Sequence, residues 1–405
     1  MDKKTVYDVK VTGKRVLMRT DFNEPLDEKT GRITDDIRIR ATLPTIEYLV
    51  EHEARLILCS HLGRPKGKFN PTFSLRPVAQ RLSEILRLPV PLAPDCVGPD
   101  VEEMVSRMED GDVLLLENLR FHPEEEKNDP AFAEALSRLG DLYIDDAFGT
   151  AHRAHASIVG VTRFLPSVSG LLLEKEVHTL GGILKSPSHP FGLLLGGAKV
   201  SDKVALIENI LPKVDHIIIG GGMAAGFLKA KGCEVGRSLL DTNVEVAAYL
   251  MQKAEQHNVK IYLPADVVVT DEINESAIAE IVMANDIPKE KRIADIGPLT
   301  VSMFRKALEK CKTVFWNGPM GVYEIPQFSE STFAMAGIIA GLHAITIIGG
   351  GSTAEVVTSL KLNEHMSFVS TGGGASLEFL SGQTLPGIAA LLDKNAPFKE
   401  AYARF

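Results

Sequence analysis

Short apolar runs recur along the chain at the length of buried strands, and segments with the helical spacing of apolar residues separate them. In the first half the candidate strands are Arg15–Met18, Arg55–Cys59, Val113–Leu116 and Leu142–Ile144. Leu43–His52, Pro77–Leu86 and Pro130–Leu139 carry the helical period between them. This alternation predicts βαβ units and mainly parallel sheets with helices on both faces. Right-handed crossovers then bring the strand C-termini to one edge, where such sheets take their ligands.

A change of composition over Phe164–Gly170 precedes an amphipathic segment, Leu171–Leu184. The alternation then resumes with Leu193–Leu195, His216–Ile219, Val314–Trp316, Ala344–Ile348 and Phe368–Thr371. The expected fold class is α/β, with two doubly wound, Rossmann-like parallel-sheet domains joined by a helix and a cleft between them. A first domain over 1–170, a connecting helix over 171–186 and a second domain from 187 follow from these boundaries. A single large domain with one more helix is the plainer alternative.

The residues after each strand differ between the halves. In the first, Arg19-Thr20-Asp21-Phe22-Asn23-Glu24-Pro25, Ser60-His61-Leu62-Gly63-Arg64-Pro65, Glu117-Asn118-Leu119-Arg120-Phe121-His122 and Asp145 through His155 bring Arg or His to one edge. Convergent cations need an anion to offset their repulsion, and guanidinium groups suit phosphate or carboxylate. Arg38 lies where the helical pattern after the first strand begins. His152 and His155 lack a partner at metal-ligand spacing.

In the second half the strand ends are bare backbone: Gly196-Gly197, Gly220-Gly221-Gly222, Asn317-Gly318-Pro319, Gly349-Gly350-Gly351-Ser352-Thr353 and Gly372-Gly373-Gly374. Backbone N–H groups at such ends suit the phosphates and flat base of a nucleotide. After Gly196-Gly197 come Lys199 and Lys203, four apart and expected on one face of a helix. Asp266, Asp271 and Asp295 are expected in loops, where any could hold a magnesium ion through water. Two segments from Gly220 and Gly349 mimic the dinucleotide fingerprint. Neither has an acid at the end of the next strand, Asp241 falling in a polar segment.

Composition narrows the class. The chain has 405 residues and a net charge of −9, which speaks against general nucleic-acid or anionic-membrane binding. No apolar stretch has the length of a membrane span. Four cysteines without Cys-x-x-Cys pairing suggest a reduced, cytoplasmic protein with neither a disulfide framework nor a zinc site. One edge for an anion and one for a nucleotide suggest phosphoryl transfer to an already ionised acceptor, which needs no general base. Sites on separate domains would imply closure about a hinge.

The blocks Arg19-Thr20-Asp21-Phe22-Asn23-x-Pro25, His61 through Pro65, Glu117 through Phe121, Asp146 through Arg153, Gly196 through Val200, Trp316 through Pro319 and Gly372 through Leu377 resemble the phosphoglycerate kinase family. The resemblance implies phosphoryl exchange between 1,3-bisphosphoglycerate and ADP, giving 3-phosphoglycerate and ATP, with magnesium, by a cytoplasmic monomer. Catalysis would fall to Arg38 and Lys199. Asp21, Phe22, Asn23, Arg38, His61, Leu62, Gly63, Arg64, Arg120 and Arg153 would hold the acid. Gly196, Gly197, Lys203, Gly220, Gly221, Gly297, Asn317, Pro319, Glu324, Gly350, Gly351, Ser352 and Thr353 would hold the nucleotide. The resemblance also returns 386–405 to the first domain and ends the second at 385.

Two positions depart from the family pattern. Ser352 stands where an aspartate is common, so magnesium would be held mainly by nucleotide phosphates, and Ser352 could accept a water-mediated contact but brings no charge. Glu24 stands where a small residue is usual and is expected to face solvent. A catalytically silent nucleotide binder and a NAD-dependent dehydrogenase are the competing readings.

Overall fold

A computed structural model describes residues 2–27, 29–240 and 244–398, so Asp241 and the stretch 399–405 lie outside the described residues. The chain divides into two compact units, Met1–His178 with Thr384–Phe405, and Thr179–Gln383.

The first unit is built on β1 (Arg15–Arg19), β2 (Arg55–Cys59), β3 (Val113–Leu115), β4 (Leu142–Asp145) and β5 (Ser167–Ser169). They form one parallel sheet in the order β3-β2-β1-β4-β5. Its strands are near-continuous apolar runs because helices cover the sheet, and Val16, Met18, Leu56, Leu58 and Ile144 lie in the core. The helices before the unit boundary are α1 (Ile37–Glu51), α2 (Arg76–Leu86), α3 (Pro99–Ser106), α4 (Pro123–Glu126) and α5 (Pro130–Ser137), and the returning segment adds α14 (Pro386–Ala389). The helix predicted from Leu43 starts six residues earlier, with Pro44 inside it. This start places Arg38 in the first turn.

Helix α6 (Leu171–Lys185) crosses the boundary between the units. Asp146, just past β4, caps its start by accepting from the Leu172 and Leu173 N–H groups at 2.8 and 3.1 Å. The chain returns to the first unit from Thr384. There the Lys4 N–H donates to the Leu392 carbonyl at 2.8 Å, and the Leu392 N–H to that of Ser167 at 3.0 Å.

The second unit carries a six-stranded parallel sheet of β6 (Phe191–Leu195), β7 (His216–Ile219), β8 (Lys260–Tyr262), β12 (Thr313–Asn317), β13 (Ile345–Gly349) and β14 (Phe368–Val369). Its order is β14-β13-β12-β6-β7-β8. The helices are α7 (Val204–Ile210), α8 (Ala224–Ala230), α9 (Val244–Gln256), α10 (Pro298–Leu308), α11 (Glu330–Ala340), α12 (Gly351–Ser359) and α13 (Gly374–Leu380). A three-stranded antiparallel sheet, β9 (Asp266–Thr270), β10 (Glu280–Met283) and β11 (Arg292–Ile296), was not expected from the sequence.

That small sheet corrects the reading of Asp266 and Asp295, while Asp271 lies in the loop after β9. Asp266 begins β9 and caps α10, accepting from the Leu299 and Thr300 N–H groups at 3.0 and 2.7 Å. Asp295 lies within β11, buried and bonded to Ser331. Asp271 pairs with Lys291 at 3.1 Å. Helix ends and neighbouring side chains engage all three carboxylates.

Candidate active site

In each parallel sheet the strand order reverses once, between β1 and β4 in the first unit and between β6 and β12 in the second. A crevice opens at the C-terminal ends of the strands at such a point.

At the first reversal, Arg19 ends β1 beside Asp145 and is buried. Its Nε donates to Ser157 Oγ at 2.9 Å, and Ser157 in turn donates to the buried Glu125 at 2.6 Å. Its second terminal nitrogen lies 3.2 Å from His61 Nδ1. Guanidinium only donates, so His61 Nδ1 is the acceptor and Nε2 carries the proton. Burial and the neighbouring cations hold the His61 imidazolium form well below its usual range, against the pull of Asp21.

Asp21 is buried, which works to raise its pKa. The Arg38 guanidinium at 2.9 Å, with His61 and Arg19, outweighs burial and holds it at about 2. Asn23 Oδ1 accepts the Gly63 N–H at 2.7 Å, and Arg120 donates to the Gly63 carbonyl at 2.8 Å. Gly63 sits at φ +60° with the Phe73 ring against its Cα, a place that excludes any side chain. Asn118 fixes the turn carrying Arg120 by accepting the Arg120 N–H at 3.0 Å. Burial, together with Arg153 and Arg19, lowers the Arg120 guanidinium to about 10. Four predicted positions, Asp21, Asn23, Gly63 and Arg120, are thus interlocked. Phe22 and Leu62 are buried beneath them, Arg153 is half-buried, and Arg64 is exposed.

Glu24 does not face solvent as expected. It is buried, and its Oε1 accepts the Ile39 N–H at 2.9 Å, because the first turn of α1 needs an acceptor that this loop supplies.

At the second reversal a cavity of about 290 Å³ is lined by Gly196, Gly197, Lys199, Lys203, Asn317, Pro319 and Gly350 through Thr353. Ala198, Asp202, Gly318, Gly373, Gly374 and Leu377 complete it and were not singled out individually from the sequence. The loops meet through backbone bonds: Gly196 N–H to the Asn317 carbonyl, Gly197 N–H to that of Pro319, and Gly221 N–H to that of Met320, each at 2.9 Å. Gly196 lies so close to the Pro319 carbonyl that a Cβ has no room. Gly350, at φ +91°, leads into α12, whose first turn offers N–H groups to an anion.

Lys199 and Lys203 do not share a helical face. Lys199 is exposed in the turn after Gly197, while Lys203 closes a 3₁₀ turn before α7 and is buried. Lys203 donates to Asn317 Oδ1, and burial lowers its ammonium to about 8. Asn317 Nδ2 is buried without a hydrogen-bond partner in the protein. Gly220 and Gly221 back onto this layer. Gly297 lies against Asp266 at the start of α10, and Glu324 is exposed; neither lines the cavity.

A larger groove of about 830 Å³ lies between the Thr30–Asp36 turn and α2. Its Arg81 is paired with Asp36 and Glu84, and Arg32 and Arg76 also line it.

The phosphoglycerate kinase family profile matches residues 6–383. The chain belongs to this family. A phosphoglycerate kinase from Pelotomaculum thermopropionicum is 52% identical over 395 residues, covering 97% of this chain and all of that one. Another from Chlorobaculum tepidum is 52% identical over 398 residues, with 97% and 100% covered. The solved structure of the Coxiella burnetii phosphoglycerate kinase superposes with a TM-score of 0.83 at 41% identity, covering 96% of this chain and 98% of that one. That from Pyrococcus horikoshii gives 0.82 at 32%, with the same coverage. Among the described residues, no helix is long and apolar enough to cross a membrane.

Proposed function

We propose that this chain catalyses reversible phosphoryl transfer between the acyl phosphate of 1,3-bisphosphoglycerate and ADP, giving 3-phosphoglycerate and ATP in glycolysis. The observation that carries the reading is the cationic group of buried Arg19 and Arg120 with half-buried Arg153 at one strand reversal of an acidic chain. The glycine-lined cavity with its buried lysine supports the nucleotide half.

In the direction of acyl phosphate formation, a carboxylate oxygen of 3-phosphoglycerate attacks the γ-phosphorus of ATP. A new P–O bond forms as the bond to the β-phosphate oxygen breaks, and ADP departs with that electron pair. The nucleophile is already ionised, so no base is required. Arg120, Arg153, Arg64 and neutral His61 bind and orient the acid, and Asp21 aims Arg38. Lys199 and Arg38 neutralise the charge spread over the transferring group. Lys203, Gly350 through Thr353 and the glycine loops hold the nucleotide. The acid held by one unit must meet the nucleotide held by the other, so hinge closure belongs to this proposal, as does a first domain completed by the C-terminal segment.

The cavity fits magnesium bound chiefly through phosphate. Its lining offers one carboxylate, Asp202, and the hydroxyls of Ser352 and Thr353, the latter already accepting the Gly318 N–H, few oxygens for an ion that keeps several waters. Bound there with the nucleotide, magnesium supplies charge neutralisation. A monomer in the reducing cytoplasm agrees with the four free cysteines and the family resemblance.

The deciding experiment is coupled turnover of 3-phosphoglycerate and magnesium ATP. A silent nucleotide binder gives heat on mixing and no product, and that result would overturn the proposal. A saturable NADH fluorescence change would instead favour a dehydrogenase.

A further inference from the structure

The loop from Asp21 to Pro25 reaches the first turn of α1 at two adjacent points. Asp21 grips the Arg38 side chain at 2.9 Å, and Glu24 Oε1 accepts the Ile39 N–H at 2.9 Å. Glu24 is 3% exposed, and its Oε2 has no hydrogen-bond partner in the protein. Its own N–H is bonded to the Phe22 carbonyl at 2.8 Å and Pro25 follows, which leaves the loop little freedom to carry the carboxyl elsewhere. An ionised carboxylate with one oxygen unpaired is costly in such a place, and the neutral acid far less so.

We propose that Glu24 positions Arg38 for the acid substrate by pinning the first turn of α1 with a carboxyl that stays uncharged. The inference rests on the acid-site reading above. A neutral carboxyl accepts the Ile39 N–H without competing for Arg38, so the guanidinium charge serves Asp21 and the incoming anion. An ionised Glu24 sets a further negative charge beside that guanidinium and opposes the substrate. Burial, the largest influence, pushes the Glu24 carboxyl up to about 8, against the pull of the Ile39 N–H and Arg38. Asp21 and Asp35, the other charged groups facing it, add to the rise.

The test is calorimetric binding of 3-phosphoglycerate to the full chain without nucleotide, at about pH 7.5 and about pH 9, on either side of the Glu24 transition. Wild type, Glu24→Gln and Glu24→Ala are compared, with KM and kcat taken in parallel. The ligand phosphate, with a second pKa of about 6, is dianionic at both values, and Lys203 has no nucleotide to serve. Wild type is expected to lose roughly tenfold in affinity across the interval. Glu24→Gln keeps the acceptor for Ile39 and is expected to bind equally at both values, with kcat close to wild type. Glu24→Ala leaves that N–H unpaired and is expected to bind weakly at both. The same pH dependence in wild type and Glu24→Gln overturns this proposal alone, even if the Ala variant fails to fold. Absence of any 3-phosphoglycerate binding by the wild type brings down the acid-site reading and the role of Glu24 with it.

Discussion

Burial first, and the repulsion of two neighbouring guanidinium groups after it, lower the Arg120 pKa to about 10. A phosphate or carboxylate relieves that repulsion, so the acid stabilises the unit that binds it. Replacing Arg38 or Lys199 with Ala should lower kcat by about 10²–10³, the usual loss when one charge-stabilising donor is removed, with circular dichroism unchanged. A near-normal rate in both variants refutes their assigned roles. Lys203 carries a separate pH signature. Its ammonium, lowered to about 8 by burial, loses its proton above that value, and phosphates bind the charged form. Wild-type ADP affinity should therefore fall between about pH 7 and pH 9, while Lys203→Met should be weak at both. The roles of single residues were legible only in part. Gly63 and Asn23 could be named because they stand in blocks that resemble the family's. The burial of Glu24 and Lys203 could not, because desolvation depends on what the rest of the chain packs over them.

Helix starts are where the elements depend on distant residues. Asp146 satisfies two N–H groups of α6 from the end of β4, and Asp266 does the same for α10 from the start of β9. Removing such a cap costs about 1 kcal/mol or somewhat more, so Asp266→Ala should lower the melting temperature by a few degrees in calorimetry. Asp146 adds a pH dependence of known sign. Burial raises its carboxyl from 3.8 to about 7, so its contribution is full below the lower value and is lost as pH climbs through the upper one. Asp146→Asn keeps the acceptor and has no proton to lose. The wild type should lose more stability than Asp146→Asn between about pH 4 and pH 7, and parallel melting curves would refute the assignment. Among the described residues, nine of the eleven parallel strands were readable to within two residues because each is a short apolar run with chemistry at its end, whereas the short edge strands β5 and β8, Ser-Val-Ser and Lys-Ile-Tyr, carry little apolar signal. The antiparallel sheet was missed: the exposed residues of β10 dilute its apolar signal, and its aspartates resemble loop residues.

At the scale of the molecule, the segment from Thr384 returns to the unit where the chain began. Lys394 pairs with Asp8 at 2.7 Å, and Phe398 packs against the first core. Truncation after Gln383 should therefore weaken 3-phosphoglycerate binding and lower the unfolding temperature of the first unit, while ADP still binds the second. Loss of both activities together in calorimetry would show that the units are not separable in this way.

Two alternating series of apolar runs, cations after the strands of one and glycines after those of the other, were present in the sequence because local patterning and strand-end chemistry are written residue by residue. The sequence also carried the family, through blocks in their proper order. Tertiary structure alone decided which charges are buried. It turned Glu24 inward, separated Lys199 from Lys203, and assigned Asp266 and Asp295 to structural bonds. Each outcome depends on partners far along the chain, and the cost of desolvating a charge exists only once those partners have closed around it.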